Sequence, residues 1–194
     1  MKQMKQWLLL VVAVAMVVVI GGCRGGKASP EAVQAVQSNT PMYTQVGMWY
    51  EQNKRGVNIV NGTNYNVGMF IPANSKVTLL GAIRQGVVID YKGQRIELHN
   101  ISKYTGIGNT AFMERMLGKK PVNLSKFNKV ERSAIAKGTV VKGMRKDAVL
   151  VSRGYPPAHA TPSLETEKWR YWKNRWATMY VVFSTNGRVT GFVE

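Results

Sequence analysis

The stretch from Gly143 to Glu194 constrains the fold more tightly than any other part of the chain, because helix, stop, strand and hairpin signals follow one another without slack. Met144 to Arg153 reads as a helix of about three turns, with Ala148, Val149 and Ser152 on the side that packs. Gly154 ends it, and Tyr155-Pro156-Pro157 bars continuation, since proline lacks the amide donor and turns the preceding residue away from helical geometry. A loop from Ala158 to Glu167 leads into Trp169 to Trp176. That segment is a predicted strand on which Trp169 and Tyr171 point one way, Arg170 and Trp172 the other. Met179 to Phe183 forms the next strand, Asn186-Gly187 the tight turn, and Arg188 to Val193 the last strand. Such a unit serves binding and packing rather than catalysis.

Upstream, Ser125 to Lys137 is a second predicted helix. Asn128 and Glu131 have capping-box spacing, Phe127, Val130 and Ala134 share a face, and Gly138 supplies the stop. Lys119, Lys120, Lys126, Lys129 and Arg132 read either as an anion-binding face or as a solvated helix exterior. Phe112, Met113, Met116 and Leu117 lie on one side of a further helix that Gly118 stops, and Thr105 to Asn109 is Gly-rich and linker-like. Between Met42 and Tyr104 the signals are those of strands and turns. Val57 to Val60 precedes Asn61-Gly62, a favoured hairpin pair, with Tyr65 to Ile71 beyond it. A turn at Pro72 to Ser75, the strands Lys76 to Leu80 and Val87 to Tyr91, a Lys92-Gly93 turn and the strand Gln94 to Leu98 follow. Five short strands in this span suggest a small closed or half-closed barrel, since closure removes exposed edges.

The N-terminus sets the compartment. Lys2 and Lys5 precede an apolar run of 14 residues, Trp7 to Ile20, which is shorter than a spanning helix needs and reads as a signal segment. Ile20-Gly21-Gly22-Cys23 closes it with small residues and resembles the bacterial lipobox, in which the cysteine is acylated and becomes the new N-terminus. Arg24 stands where an aspartate favours inner-membrane retention, so the expectation is a lipid anchor in the outer membrane, facing the periplasm. Arg24 to Ser29 is a Gly-rich tether, and Ser29-Pro30-Glu31 opens a short helix to Gln37. Removal of residues 1–22 takes two lysines and no acid and leaves 25 basic against 10 acidic residues, so anionic neighbours are expected. One cysteine and two histidines, His99 and His159, allow neither a disulfide framework nor a multi-Cys/His metal site within the chain.

The C-terminal stretch resembles the SmpA/OmlA family, which includes the small lipoprotein subunit of the outer-membrane β-barrel assembly machine. The resemblance rests on Gly143-Met144, Val149, Gly154 with its prolines, Trp169 with Tyr171, and Val182-Phe183 with Asn186-Gly187 and Val189. It implies two helices packed on a three-stranded antiparallel sheet. Arg145 departs from the family's usual helix-capping Thr or Ser, and the Pro156 to Ser163 loop is longer. Met69 to Leu79 weakly resembles the strand-turn-strand entry of bacterial SH3-like domains.

The expected layout is an α+β protein. It comprises a signal peptide (1–22), a tether (23–41), a β-rich SH3-like domain (42–104), a linker with a short helix (105–124) and an ααβββ domain (125–194). Catalytic material is thin: Asp90 and Asp147 are the only aspartates, and no Gly-x-Ser-x-Gly occurs. Gly106-x-Gly108 lacks the third glycine of a nucleotide loop. The expected role is non-catalytic, with no cofactor beyond the lipid on Cys23: a scaffold or adaptor in outer-membrane maintenance, or in outer-membrane protein assembly. The alternative is binding of cell-wall glycan or anionic glycolipid through the β-rich domain, and the compartment argues against nucleic acid. Candidate contact residues are Tyr155, Pro156, Pro157, Trp169, Arg170, Tyr171, Trp172, Arg175 and Trp176, because exposed Trp, Tyr and Arg dominate binding surfaces. The competing reading packs Trp169 and Tyr171 on the helices and Trp172 and Trp176 on the β-rich domain. Exposed aromatics on the C-terminal sheet favour a protein partner; in a groove of the barrel they favour a glycan.

Overall fold

The computed structural model describes residues 41–194 except Asn64; the signal segment, Cys23, the tether up to residue 40 and the short helix expected to Gln37 lie outside the described residues, and Pro41 opens the first strand rather than ending the tether. The fold is α+β, with a curled eight-stranded sheet, a three-stranded antiparallel sheet and four helices among the described residues.

The large sheet is built from β1 (Pro41–Thr44), β2 (Met48–Gln52), β3 (Asn58–Asn61), β4 (Met69–Ile71), β5 (Lys76–Ile83), β6 (Gly86–Tyr91), β7 (Gln94–His99) and β8 (Leu117–Gly118). Its spatial order is β4-β2-β3-β7-β6-β5-β1-β8, antiparallel throughout except for the parallel β3–β7 pair. Alternation carries Met48 and Tyr50, Val77 and Leu79, Val87 and Ile89, and Ile96 and Leu98 into one core. Lys92 and Gly93 both take positive φ, as a type I′ turn between β6 and β7 requires.

The Asn61-Gly62 pair does not make the predicted hairpin. The Gly62 N–H donates to the His99 carbonyl (2.8 Å), and a Cβ there would stand 2.7 Å from that oxygen. Gly62 thus lets the chain leave β3 tight against β7, and the following strand, β4, pairs with β2 instead.

Two helices, α1 (Ser102–Thr105) and α2 (Asn109–Met116), close the open side of the curl. Phe112, Met113, Met116 and Leu117 join the same core, with Ile107 packed against it, so this part of the span 105–124, set apart by sequence as a linker and short helix, packs within the β-rich unit.

The C-terminal unit comprises α3 (Lys129–Lys137), α4 (Lys146–Arg153), β9 (Lys168–Trp172), β10 (Thr178–Phe183) and β11 (Val189–Val193), with sheet order β11-β10-β9. Both halves of the expected capping box are made: the Glu131 N–H donates to the Asn128 side chain (2.9 Å), and the Asn128 N–H donates to the Glu131 carboxylate (3.0 Å). The same carboxylate accepts the Arg145 N–H at 3.0 Å, tying the start of α4 to α3. Burial pushes the Glu131 carboxyl up, but these hydrogen bonds and the Arg145 guanidinium outweigh it and hold the group below the usual carboxylate range.

Of the Phe127, Val130, Ala134 face read from sequence, Phe127 and Ala134 are buried in the C-terminal core and Val130 is not; helix α3 buries Glu131 and Ile135 beside Ala134. The helix begins at Lys129, and the stripe of Glu131, Ala134 and Ile135 leaves Val130 roughly 90° from its centre round the axis. Val130 is 61% exposed.

The two units touch through backbone. The Gly47 N–H donates to the Val151 carbonyl (2.8 Å) and the Ala158 N–H to the Tyr104 carbonyl (2.8 Å). The Asn74 amide bonds both backbone groups of Val122 (2.7 and 2.9 Å). Gly138, in left-handed geometry at the end of α3, faces the Trp49–Phe70 ring pair, and a Cβ there would stand 2.5 Å from both rings. Gly143 also has positive φ (+85°), but a Cβ there would meet nothing within 4 Å. Gly143→Ala is therefore expected to cost about 1 kcal/mol of left-handed strain, and Gly138→Ala about 3 kcal/mol because ring overlap is added. Urea unfolding of both variants checks this, and equal losses would mean that Gly138 does not seat the two units.

Candidate functional site

The β9–β10 hairpin is aimed by its buried side. Trp169 and Tyr171 are fully buried, with Trp169 against Phe183 (ring centroids 4.6 Å) and the Tyr171 hydroxyl donating to the Gly154 carbonyl at 2.9 Å. Burial pushes the Tyr171 hydroxyl far above its ordinary value, so it stays a donor. The Arg153 guanidinium lies between the rings of Trp49 (5.2 Å) and Tyr171 (5.5 Å), and its Nη2 donates to the Trp172 carbonyl (2.9 Å). Burial pulls that guanidinium down to about 10, with the Tyr171 hydroxyl acting against it, and it remains charged at neutral pH.

Beyond Trp172 the hairpin turns over an Asn174 cap, whose side-chain oxygen accepts the N–H groups of Trp176 (2.8 Å) and Ala177 (2.9 Å). This throws Arg175 and Trp176 outward; Trp176 is 85% exposed, with the Arg175 guanidinium 5.2 Å from its ring. Trp172 stays partly covered and leans on Tyr65 (6.2 Å) from the loop after β3.

The hairpin tip overhangs the outer face of β2, β3 and β7. Register pairs Glu51 with Ile59 and Asn61 with His99, so these four side chains share the face opposite the core residues Val60 and Leu98. Between face and tip lies an open cleft of ≈ 680 Å³. Glu51, Gln52, Asn53, Asn61 and His99 line one wall, and Asn174, Arg175 and Trp176 the other, with Tyr65 and Val67 at one end. His99 Nε2 is fixed against Glu97 Oε2 at 2.8 Å. Among the described residues the lining offers amides that both donate and accept, the Glu51 carboxylate, two cations, Lys54 and Arg175, and an indole face, together suited to a hydroxyl-rich ligand with an apolar side.

Of the sequence candidates, only Arg175 and Trp176 line the cleft. Trp169 and Tyr171 are core residues that position it. Pro156 and Pro157 are buried rather than a contact ridge, because Tyr155 packs on the β-rich core with the Arg115 guanidinium 4.1 Å from its ring. Arg170 is partly buried between Trp172 (5.8 Å) and Tyr180 (5.7 Å). Trp176, expected against the β-rich domain in the packing alternative, stands clear of it. Glu51, Asn61, Tyr65 and His99 are not among the sequence candidates; for Asn61 and His99 the sequence signal is the alternation that turns Ile59, Asn61, Glu97 and His99 away from the core.

Among the described residues no group of three or more His, Cys, Asp or Glu is placed to hold a metal, and no helix is long and apolar enough to cross a membrane. Comparison with protein-family models, with curated proteins and with solved structures gives no match in any of the three.

Trp176→Ala is expected to change stability by less than about 0.5 kcal/mol, whereas Trp169→Ala removes a fully buried side chain and costs about 4 kcal/mol. Thermal unfolding of the two variants separates surface from support, and a large loss for Trp176→Ala would place that ring in the core.

Proposed function

We propose that this chain is a non-catalytic envelope protein, acylated at Cys23 and held at the outer membrane facing the periplasm. There it acts as a scaffold or adaptor by binding cell-wall glycan in the cleft. The observation that carries this reading is the position of Trp176, exposed yet overhanging a polar groove of the β-rich unit. A sugar ring presents C–H groups on its flat faces and hydroxyls round its rim. The faces stack on the electron-rich face of an indole, and the rim hydrogen-bonds to amides and carboxylates such as those of Asn61, Asn174 and Glu51. Among the described residues Glu51 is the one carboxylate lining the cleft. Glycoside cleavage ordinarily needs a flanking pair, so the cleft suits holding a glycan rather than cutting it.

The short apolar run ending in Gly21-Gly22-Cys23 supports the anchor, and the basic balance supports residence beside anionic polymers. We assign the curled sheet to the SH3-like group on its short strands and partial closure, and residues 125–194 to the SmpA/OmlA-like ααβββ layout. That element order, α3 and α4 followed by β9 to β11, favours a second reading, an accessory of outer-membrane protein assembly.

Co-sedimentation of the mature full-length chain with purified peptidoglycan sacculi tests the first reading. The unmodified chain is expected to pellet, and Trp176→Ala to bind about tenfold more weakly, the loss of one central aromatic contact. Absence of pelleting, together with crosslinks from position 176 to barrel-assembly subunits in intact cells, would overturn it in favour of the second.

A further inference from the structure

Helix α3 carries a second surface, on a different face from the cleft. From Lys119 to Lys142 the chain has seven basic residues and one acid, Glu131. That acid is 2% exposed and is consumed by the Asn128 cap and Arg145, so it leaves no negative charge on the surface. Two of the seven are tied internally: Lys126 pairs with Asp147 (3.2 Å), and Arg132 Nη1 donates to the Phe127 carbonyl (2.6 Å).

A shallow groove of ≈ 320 Å³ runs between α3 and the chain that follows it. Val130, Ala134 and Val141 supply apolar floor and wall, while Lys129 and Lys137 stand at the rims, one at each end of the helix. An exposed valine in a groove, framed by lysines two turns apart, is not a solvated helix exterior, where apolar side chains gain nothing by lying together.

We propose that this groove docks an amphipathic segment of a partner protein, with apolar residues seated over Val130 and acidic residues flanking them to meet Lys129 and Lys137. Charge complementarity sets the sign of the partner, and the concavity sets its class. An anionic lipid surface is broad and flat and rewards projecting side chains, whereas a groove between two lysines accepts inserted ones. The apolar floor provides the affinity and the lysines the register and the rate of encounter. This assignment is independent of the cleft, and the two surfaces stand or fall separately.

A photo-crosslinking amino acid at Val130 of the full-length, acylated chain in intact cells tests the proposal, with adducts mapped by mass spectrometry to the residue joined. The expected result is an adduct to a protein segment of net negative charge with apolar residues at helical or alternating spacing. It is reduced at least tenfold in a Lys129→Glu, Lys137→Gln background that melts like the parent chain. The same substitutions leave sacculus binding unchanged. An adduct to lipid or glycan, an adduct to a neutral or basic segment, insensitivity to the charge changes, or no adduct at all would overturn the proposal.

Discussion

Arg153 is buried where the two sheets meet, and the geometry of the cleft depends on what surrounds it. A buried guanidinium is costly unless its charge is met on several sides. Here Trp49 from β2 and Tyr171 from β9 offer ring faces, and the Trp172 carbonyl accepts a hydrogen bond. These partners come from different units, so any opening of the junction would strip the charge of stabilising neighbours without giving it a full hydration shell. The same junction contains contacts that only glycine permits, at Gly47 and Gly138, where side chains would strike Ser152 and the Trp49–Phe70 pair. Electrostatics and sterics thus demand one arrangement. The β9–β10 hairpin is carried over the outer face of β2, β3 and β7 as a fixed overhang, and the cleft beneath it exists before any ligand arrives.

Much of this was legible in the sequence wherever the deciding force is local. The Asn128–Glu131 capping box, the Gly138 and Gly154 stops, the turn at Lys92-Gly93 and the alternation of Trp169 and Tyr171 with Arg170 and Trp172 each follow from a few neighbouring residues. What escaped was long-range. Nothing near Asn61-Gly62 reveals that the glycine is needed for passage against β7 rather than for a hairpin, nor that β4 then crosses to β2. The short strands β1 and β8 find partners far along the chain, and α2 enters the β-rich core because the curled sheet leaves one side open.

The candidate site was legible only in part for the same reason. Sequence singled out an aromatic strand, and period-two alternation sorts its buried members from the rest. It does not show that the Asn174 cap ejects Trp176, or that this ring comes to lie over β3 and β7, well over 70 residues earlier in the chain. Val130 is a parallel case. Its spacing from Ala134 reads as a shared packed face; Ala134 is packed, but the buried stripe runs through Glu131 and Ile135 as well and leaves the valine at its edge among lysines.

The central claim is that the junction fixes the two units in a single arrangement. Double electron–electron resonance between spin labels at Arg84→Cys and Thr185→Cys, in a chain with Cys23 replaced by serine, tests it directly, since both positions are exposed turns on opposite units. One narrow distance distribution, unchanged by added glycan, is the result this account predicts. A broad or two-peaked distribution would contradict it, for the cleft would then be a space between moving parts rather than a built site.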